Sequence, residues 1–167
     1  MNAKLVEQIN IQIREEYDSG FLYLAMVGWC RRNGYPGAAH WLQLQVQEEF
    51  SHALKFFNYL ANNKEVAMVL PHKQQPTEFE GLLPIFQAAM KHEKYITGKI
   101  KDLCKLADEL DDKKTRQFLV WYEDEQVEEE ENAQANLDLF KKFDNDFSKV
   151  DAQMAKRVIS TTEDEKK

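Results

Sequence analysis

Turn signals cluster at only three places in this sequence, and the segments between them are far too long to be strands. Asn33-Gly34-Tyr35-Pro36-Gly37 reads as a stop and a restart, with Gly34 closing one helix and Pro36 opening the next. Residues 62–80 contain Pro71 and Pro76 and lack periodicity, so they read as a long connection. Asp108 to Asp112 is a tight polar turn. The remaining stretches are predicted as helices over 3–32, 36–62, 81–108 and 112–143, followed by a short helix over 148–159 and a loose polar end at 161–167. With 6 glycines and 4 prolines in 167 residues, breakers are too few for a sandwich or barrel.

Helices of this size run roughly 40–48 Å at about 1.5 Å per residue. The two short turns make antiparallel hairpins of the first and second helices and of the third and fourth. The connection of about 18 residues is long enough to travel the length of such a bundle, which accounts for so long a loop in a compact chain. The expected fold is therefore all-α: an up-down-down-up four-helix bundle with one crossover and a short fifth helix, in a single domain over 1–160.

Several function classes drop out. No apolar run approaches the roughly 18 residues of a membrane span, and the N-terminus shows no apolar signal core. Cys30 and Cys104 sit far apart in helical patterns, as in a reduced cytoplasmic protein. There is no CxxC, GxGxxG, P-loop or GxSxG. A net charge of −7, from 22 basic and 29 acidic side chains, argues against nucleic acid as a partner. That imbalance is local. Residues 123–131 hold seven acids and no base, and the rest of the chain is neutral.

The bundle seams explain part of this acidity. At 3-4 spacing, helix one presents Ile9, Ile13, Glu16, Gly20, Tyr23 and Val27, and helix two presents Leu42, Gln45, Glu49, His52, Phe56 and Tyr59. Helix three gives Phe86, Ala89, Glu93, Ile96 and Ile100; helix four gives Leu119, Tyr122, Gln126, Glu129 and Ala133. Each seam is interrupted by a carboxylate near its midpoint, so Glu16, Glu49, Glu93 and Glu129 should meet in one layer with His52 and Gln126. A lone seam glutamate is ordinary, because long side chains snorkel. Four at one level repel and are costly to bury, and no seam Lys or Arg stands near them. A pair of metal ions neutralises several carboxylates at once, and Glu49 with His52 at i, i+3 offers oxygen and nitrogen to one ion. Glu48, Glu125 and Glu128 lie one position back and suggest an adjacent site sharing Glu129. His40, His72 and His92 read as surface or packing residues, Glu130 and Glu131 as a solvated face.

The chain resembles the bacterial-type non-haem ferritins. The resemblance is carried by Glu16 with Tyr23 seven later, Gln47-Glu48-Glu49-Phe50-Ser51-His52, Lys91-His92-Glu93, Trp121-Tyr122-x-x-Glu125-Gln126-x-Glu128-Glu129, and Val150 to Arg157 as the fifth helix. It implies a ferroxidase centre in which Glu16, Glu49 and His52 hold one iron and Glu49, Glu93 and Glu129 a second, with Gln126 close by and Tyr23 as a supporting or redox partner. It also implies a third iron site at Glu48, Glu125, Glu128 and Glu129, with Fe(II) and O2 or H2O2 as substrates. The implied particle is a homo-oligomeric cage of 24 subunits storing ferric mineral. Haem-containing relatives carry a second Glu-x-x-His on the fourth helix and a haem-ligating Met; here those positions are Gln126, Glu129 and Phe50, so no haem is expected. The mini-ferritins lack the fifth helix. The alternative is a di-iron carboxylate oxidase or peroxidase that shares the layer and stores nothing; a scaffold subunit with no working site is a further rival.

Overall fold

A computed structural model describes residues 1–158; the expected loose end at 161–167 lies outside the described residues. Four long helices, α1 (Ala3–Arg32), α2 (Pro36–Asn62), α3 (Leu82–Glu109) and α4 (Lys113–Lys142), are followed by the short α5 (Phe147–Met154). The long helices begin and end within about a residue of their expected positions. The fifth helix does not: the chain turns at Ala155 and Lys156, short of the expected 159, and Arg157 runs back to α2.

The helix ends follow from local hydrogen bonding. The Asn2, Asp112 and Asp146 side chains accept from Lys4, Thr115 and Lys149 backbone N–H groups at the starts of α1, α4 and α5. Pro36 sits in the first turn of α2. All four long helices close with the same wrap-around bond, Tyr35 N to Cys30 O, Glu65 N to Leu60 O, Asp112 N to Ala107 O and Asn145 N to Phe140 O. The residue before each of these donors has positive φ. At Gly34 this is easy; Lys64, Asp111 and Asp144 adopt it with a side chain.

α1 packs along α2 and α3 along α4, α1 meets α3, and α5 lies on α2 and α4. The crossover after α2 is pinned to α1 along its length. Asn10 donates to Val66 O and accepts from Met68 N, Asp18 accepts from His72 and Lys73, and Arg32 donates to Thr77 O. These bonds explain why Asn10 and Asp18 are buried on α1. The apolar core is in two parts. One, around Leu5, Ile9, Phe56, Ile100 and Leu119, fills one end; the other, around Met26, Leu42, Phe86, Phe140 and Val150, fills the other end and reaches α5. Between them lies a polar layer.

Candidate metal centre

That layer is built from one or two residues of each long helix. α1 supplies Glu16 and, two turns on, Tyr23; α2 supplies Glu49 and His52; α3 supplies Glu93; α4 supplies Gln126 and Glu129. Glu16, Glu49, His52, Glu93, Gln126 and Glu129 are each at most 4% exposed. Burial of this kind is not accidental helix phase, since each seam carries buried apolar residues on both sides of its polar stretch, such as Ile13 and Tyr23 on α1, Leu42 and Phe56 on α2, Ala89 and Ile96 on α3, and Tyr122 and Ala133 on α4. Tyr122 ties α4 to α2 at this level by donating to the His52 carbonyl at 2.8 Å.

The carboxylates converge in two groups that share Glu49. Ligand atoms of Glu16, Glu49 and His52 lie within 4.8 Å of one another, as do those of Glu49, Glu93 and Glu129. A third group of the same size joins His52, Glu125 and Glu129. Glu16 Oε2 and His52 Nε2 are buried and have no hydrogen-bond partner among the described residues. A buried carboxylate oxygen without a donor, as at Glu16 Oε2, needs a compensating charge, and a cation supplies one.

Electrostatics say the same. Burial, reinforced by the neighbouring Glu49, pushes Glu16 up to about 8 and Glu93 up to about 8. Glu129 is likewise held well above the usual carboxylate range by burial and by Glu49 and Glu93. Burial alone would lower His52, but the Glu125 and Glu49 carboxylates outweigh it and raise it well above the usual value. Among the described residues no Lys or Arg forms an ion pair with Glu16, Glu49, Glu93 or Glu129. Hard oxygen donors with one imidazole suit iron, and two adjacent cations would discharge the mutual repulsion.

The four carboxylates are braced, and two of the bracing residues, Gln12 and Gln45, carry no role in the sequence reading. Gln12 Nε2 donates to Glu16 Oε1 at 2.8 Å, and Gln45 Nε2 donates to Glu129 Oε2 at 2.7 Å and to Glu49 Oε1 at 3.3 Å. Both glutamines stand four residues before a seam glutamate, which is the signal that marks them in the sequence. Tyr23 donates to Glu93 Oε1, and Gln126 Nε2 lies 3.4 Å from Glu93 Oε2. The Tyr23 hydroxyl, raised well above its usual value by burial and by Glu93, stays protonated and so remains a donor.

The outer set is only partly assembled. Glu125 Oε1 lies 3.5 Å from His52 Nε2, next to Glu129. Glu48 is instead engaged by Arg157, and Glu128 is exposed. The remaining histidines pack as expected. His40 meets the Arg157 carbonyl, His72 bonds Asp18 and His92 bonds Ser19.

A four-helix bundle with two apolar ends and a central layer of four glutamates and a histidine is consistent with the di-metal carboxylate class of bundle proteins. The chain belongs to the ferritin family: the family model for the ferritin-like domain matches residues 6–143. It is similar to a bacterial non-heme ferritin of Bacteroides fragilis, 34% identical over 158 residues, 94% of this chain and 99% of that one. A bacterial non-heme ferritin of Staphylococcus saprophyticus is 29% identical over 166 residues, 98% of this chain and 99% of the relative. Among solved structures, the open pore ferritin of the archaeon Archaeoglobus fulgidus superposes with a TM-score of 0.91 at 30% identity, covering 95% of this chain and 99% of that one.

Proposed function

We propose that this protein oxidises Fe(II) at the buried layer and stores the ferric product inside a shell of its own copies. The observation that carries the reading is the pair of ligand groups sharing Glu49 at the middle of a ferritin bundle. In this reading Glu16, Glu49 and His52 take one Fe(II), and Glu49, Glu93 and Glu129 take the second. Each Fe(II) gives up one electron. O2 accepts both with two protons, leaving two Fe(III) and H2O2; with H2O2 as oxidant, the same electrons and protons leave two waters. Two irons held side by side let a two-electron oxidant react in one encounter.

The other residues have supporting work. Gln12, Gln45, Tyr23 and Gln126 aim carboxylate lone pairs inward, and such partners commonly change metal affinity about 10–100-fold when removed. An outer iron site at Glu125 and Glu129, completed by Glu48 and Glu128, is part of the proposal. The adjacency of Glu125 to His52 and Glu129 supports it. Haem plays no part, because helix α4 offers Gln126 and Glu129 where a Glu-x-x-His pair would be needed, and Phe50 where the Met would be. No described helix is long and apolar enough to cross a membrane. The cytoplasm, where thiols such as Cys30 and Cys104 stay reduced, is the proposed location.

Glu49→Ala and His52→Ala are expected to slow the initial oxidation of Fe(II) at least tenfold while far-ultraviolet circular dichroism stays helical. Stopped-flow absorbance after anaerobic Fe(II) loading measures it. An unchanged rate in both variants defeats the assignment.

A further inference from the structure

The segment after α5 reaches back to the iron layer through one side chain. Arg157 Nη1 donates to the Trp41 carbonyl at 3.1 Å and to Gln45 Oε1 at 3.0 Å, and Nη2 donates to Glu48 Oε2 at 2.5 Å. Its guanidinium lies 4.1 Å from the centre of the Trp41 ring. The Arg157 side chain is only 14% exposed. Gln45, 1% exposed, carries the contact inward to Glu129 and Glu49. Residues 112 apart in sequence thus touch one after another on the way to the ligands.

We propose that Arg157 is a positioning residue for iron oxidation, acting through Gln45 on Glu129 and Glu49; this rests on the function proposed above. The physical reason is the polarity of the amide. A glutamine side chain has a donor end and an acceptor end, and rotation by half a turn exchanges them. A guanidinium has donors only. With Arg157 docked, the Gln45 oxygen must face it, and the –NH2 end must face the carboxylates. Flipped, Gln45 would set donors against donors at Arg157 and an oxygen against Glu129. The guanidinium keeps its charge at any working pH, so the orientation is permanent while the segment stays docked. Docking is secured elsewhere: the Asp151 side chain accepts from Ala38 N at 2.8 Å, Val150 and Met154 are buried, and the Asp151 carbonyl sits where a side chain on Gly37 would begin.

The test is anaerobic calorimetric titration of Fe(II) into the metal-free assembled protein, followed by stopped-flow oxidation. Variants are Arg157→Ala, Gln45→Leu and the double change. The parent is read first: fewer than two Fe(II) per subunit overturns the underlying reading of the centre. Arg157→Ala is expected to weaken binding of the second Fe(II) roughly tenfold, with particle mass and helicity unchanged. In the Gln45→Leu background the same change is expected to add less than twofold. A parent-like isotherm for Arg157→Ala overturns the proposal. So does an equal loss in both backgrounds, which would mean that the arginine acts through Glu48 instead. Should Arg157→Ala fail to assemble, Arg157→Lys keeps a cation beside Glu48 without the planar fork. Weakened second-iron binding then supports the proposal, and a parent-like isotherm overturns it.

Discussion

Glu16 and Glu93 show what a single buried carboxylate contributes here. Each is raised from 4.5 to about 8, chiefly by burial and then by Glu49. Between those two pH values the folded chain holds protons that the unfolded chain has released, so stability falls as pH rises. His52, raised well above its usual value, acts in the same direction. Glu15 acts oppositely: Arg14 and Lys73 outweigh its burial and lower it, so its contribution is lost only as pH falls. The metal-free protein is therefore expected to melt at lower temperature as pH is raised from about 5 to about 8. Bound divalent ions should flatten that dependence, because ligands are already deprotonated. Scanning calorimetry with chelator and with Zn(II) measures both. A metal-free melting temperature that climbs across this window would contradict the charge distribution described for the layer.

At the scale of the elements, the docking of α5 on α2 depends on Gly37. A Cβ there would lie 1.9 Å from the Asp151 carbonyl oxygen, a backbone atom that cannot step aside without moving the helix. Gly37→Ala is expected to destabilise the subunit by about 1–3 kcal/mol, as overpacking does. Gly28 gives the opposite sign. It lies inside α1, where a Cβ would meet nothing within 4 Å, so Gly28→Ala should stabilise by about 0.5–1 kcal/mol. Denaturant midpoints of the two variants check the pair. The helix ends make a related point. Gly34 announces its stop in the sequence, and Asp111 lies in a polar turn, but Lys64 and Asp144 close their helices with positive φ without a glycine to signal it. The energy for that comes from the wrap-around hydrogen bond and from the packing beyond it, which a local reading does not contain.

For the whole molecule, the polar layer divides the core into two apolar clusters. Exposed Leu24, Val66, Met68 and Val69 lie on α1 and the crossover, outside both clusters. Light scattering is expected to find a particle of 24 copies of the 19.6 kDa chain. A dimer would instead favour an oxidase that stores nothing. The acidic turn at Asp108–Asp112 reads, in three dimensions, as a solvated connection. Asp112 caps α4, while Asp108 and Asp111 pair with Arg116 and Lys113.

The sequence by itself determined the helices, their antiparallel pairing and the four interrupted seams. Breaker spacing and a 3.6-residue period are local properties, and the equal lengths of the helices bring their midpoints to one level. From these alone Glu16, Glu49, His52, Glu93 and Glu129 were legible as one group. Only the tertiary structure decided which end of Gln45 faces Glu129, that Asn10 and Asp18 pin the crossover, and that Glu48 answers to Arg157 rather than to its neighbours on α4. Those contacts join residues separated by 54 to 109 positions. They are set by which long side chain reaches a partner first once the helices are in place, and no pattern along the chain encodes that contest.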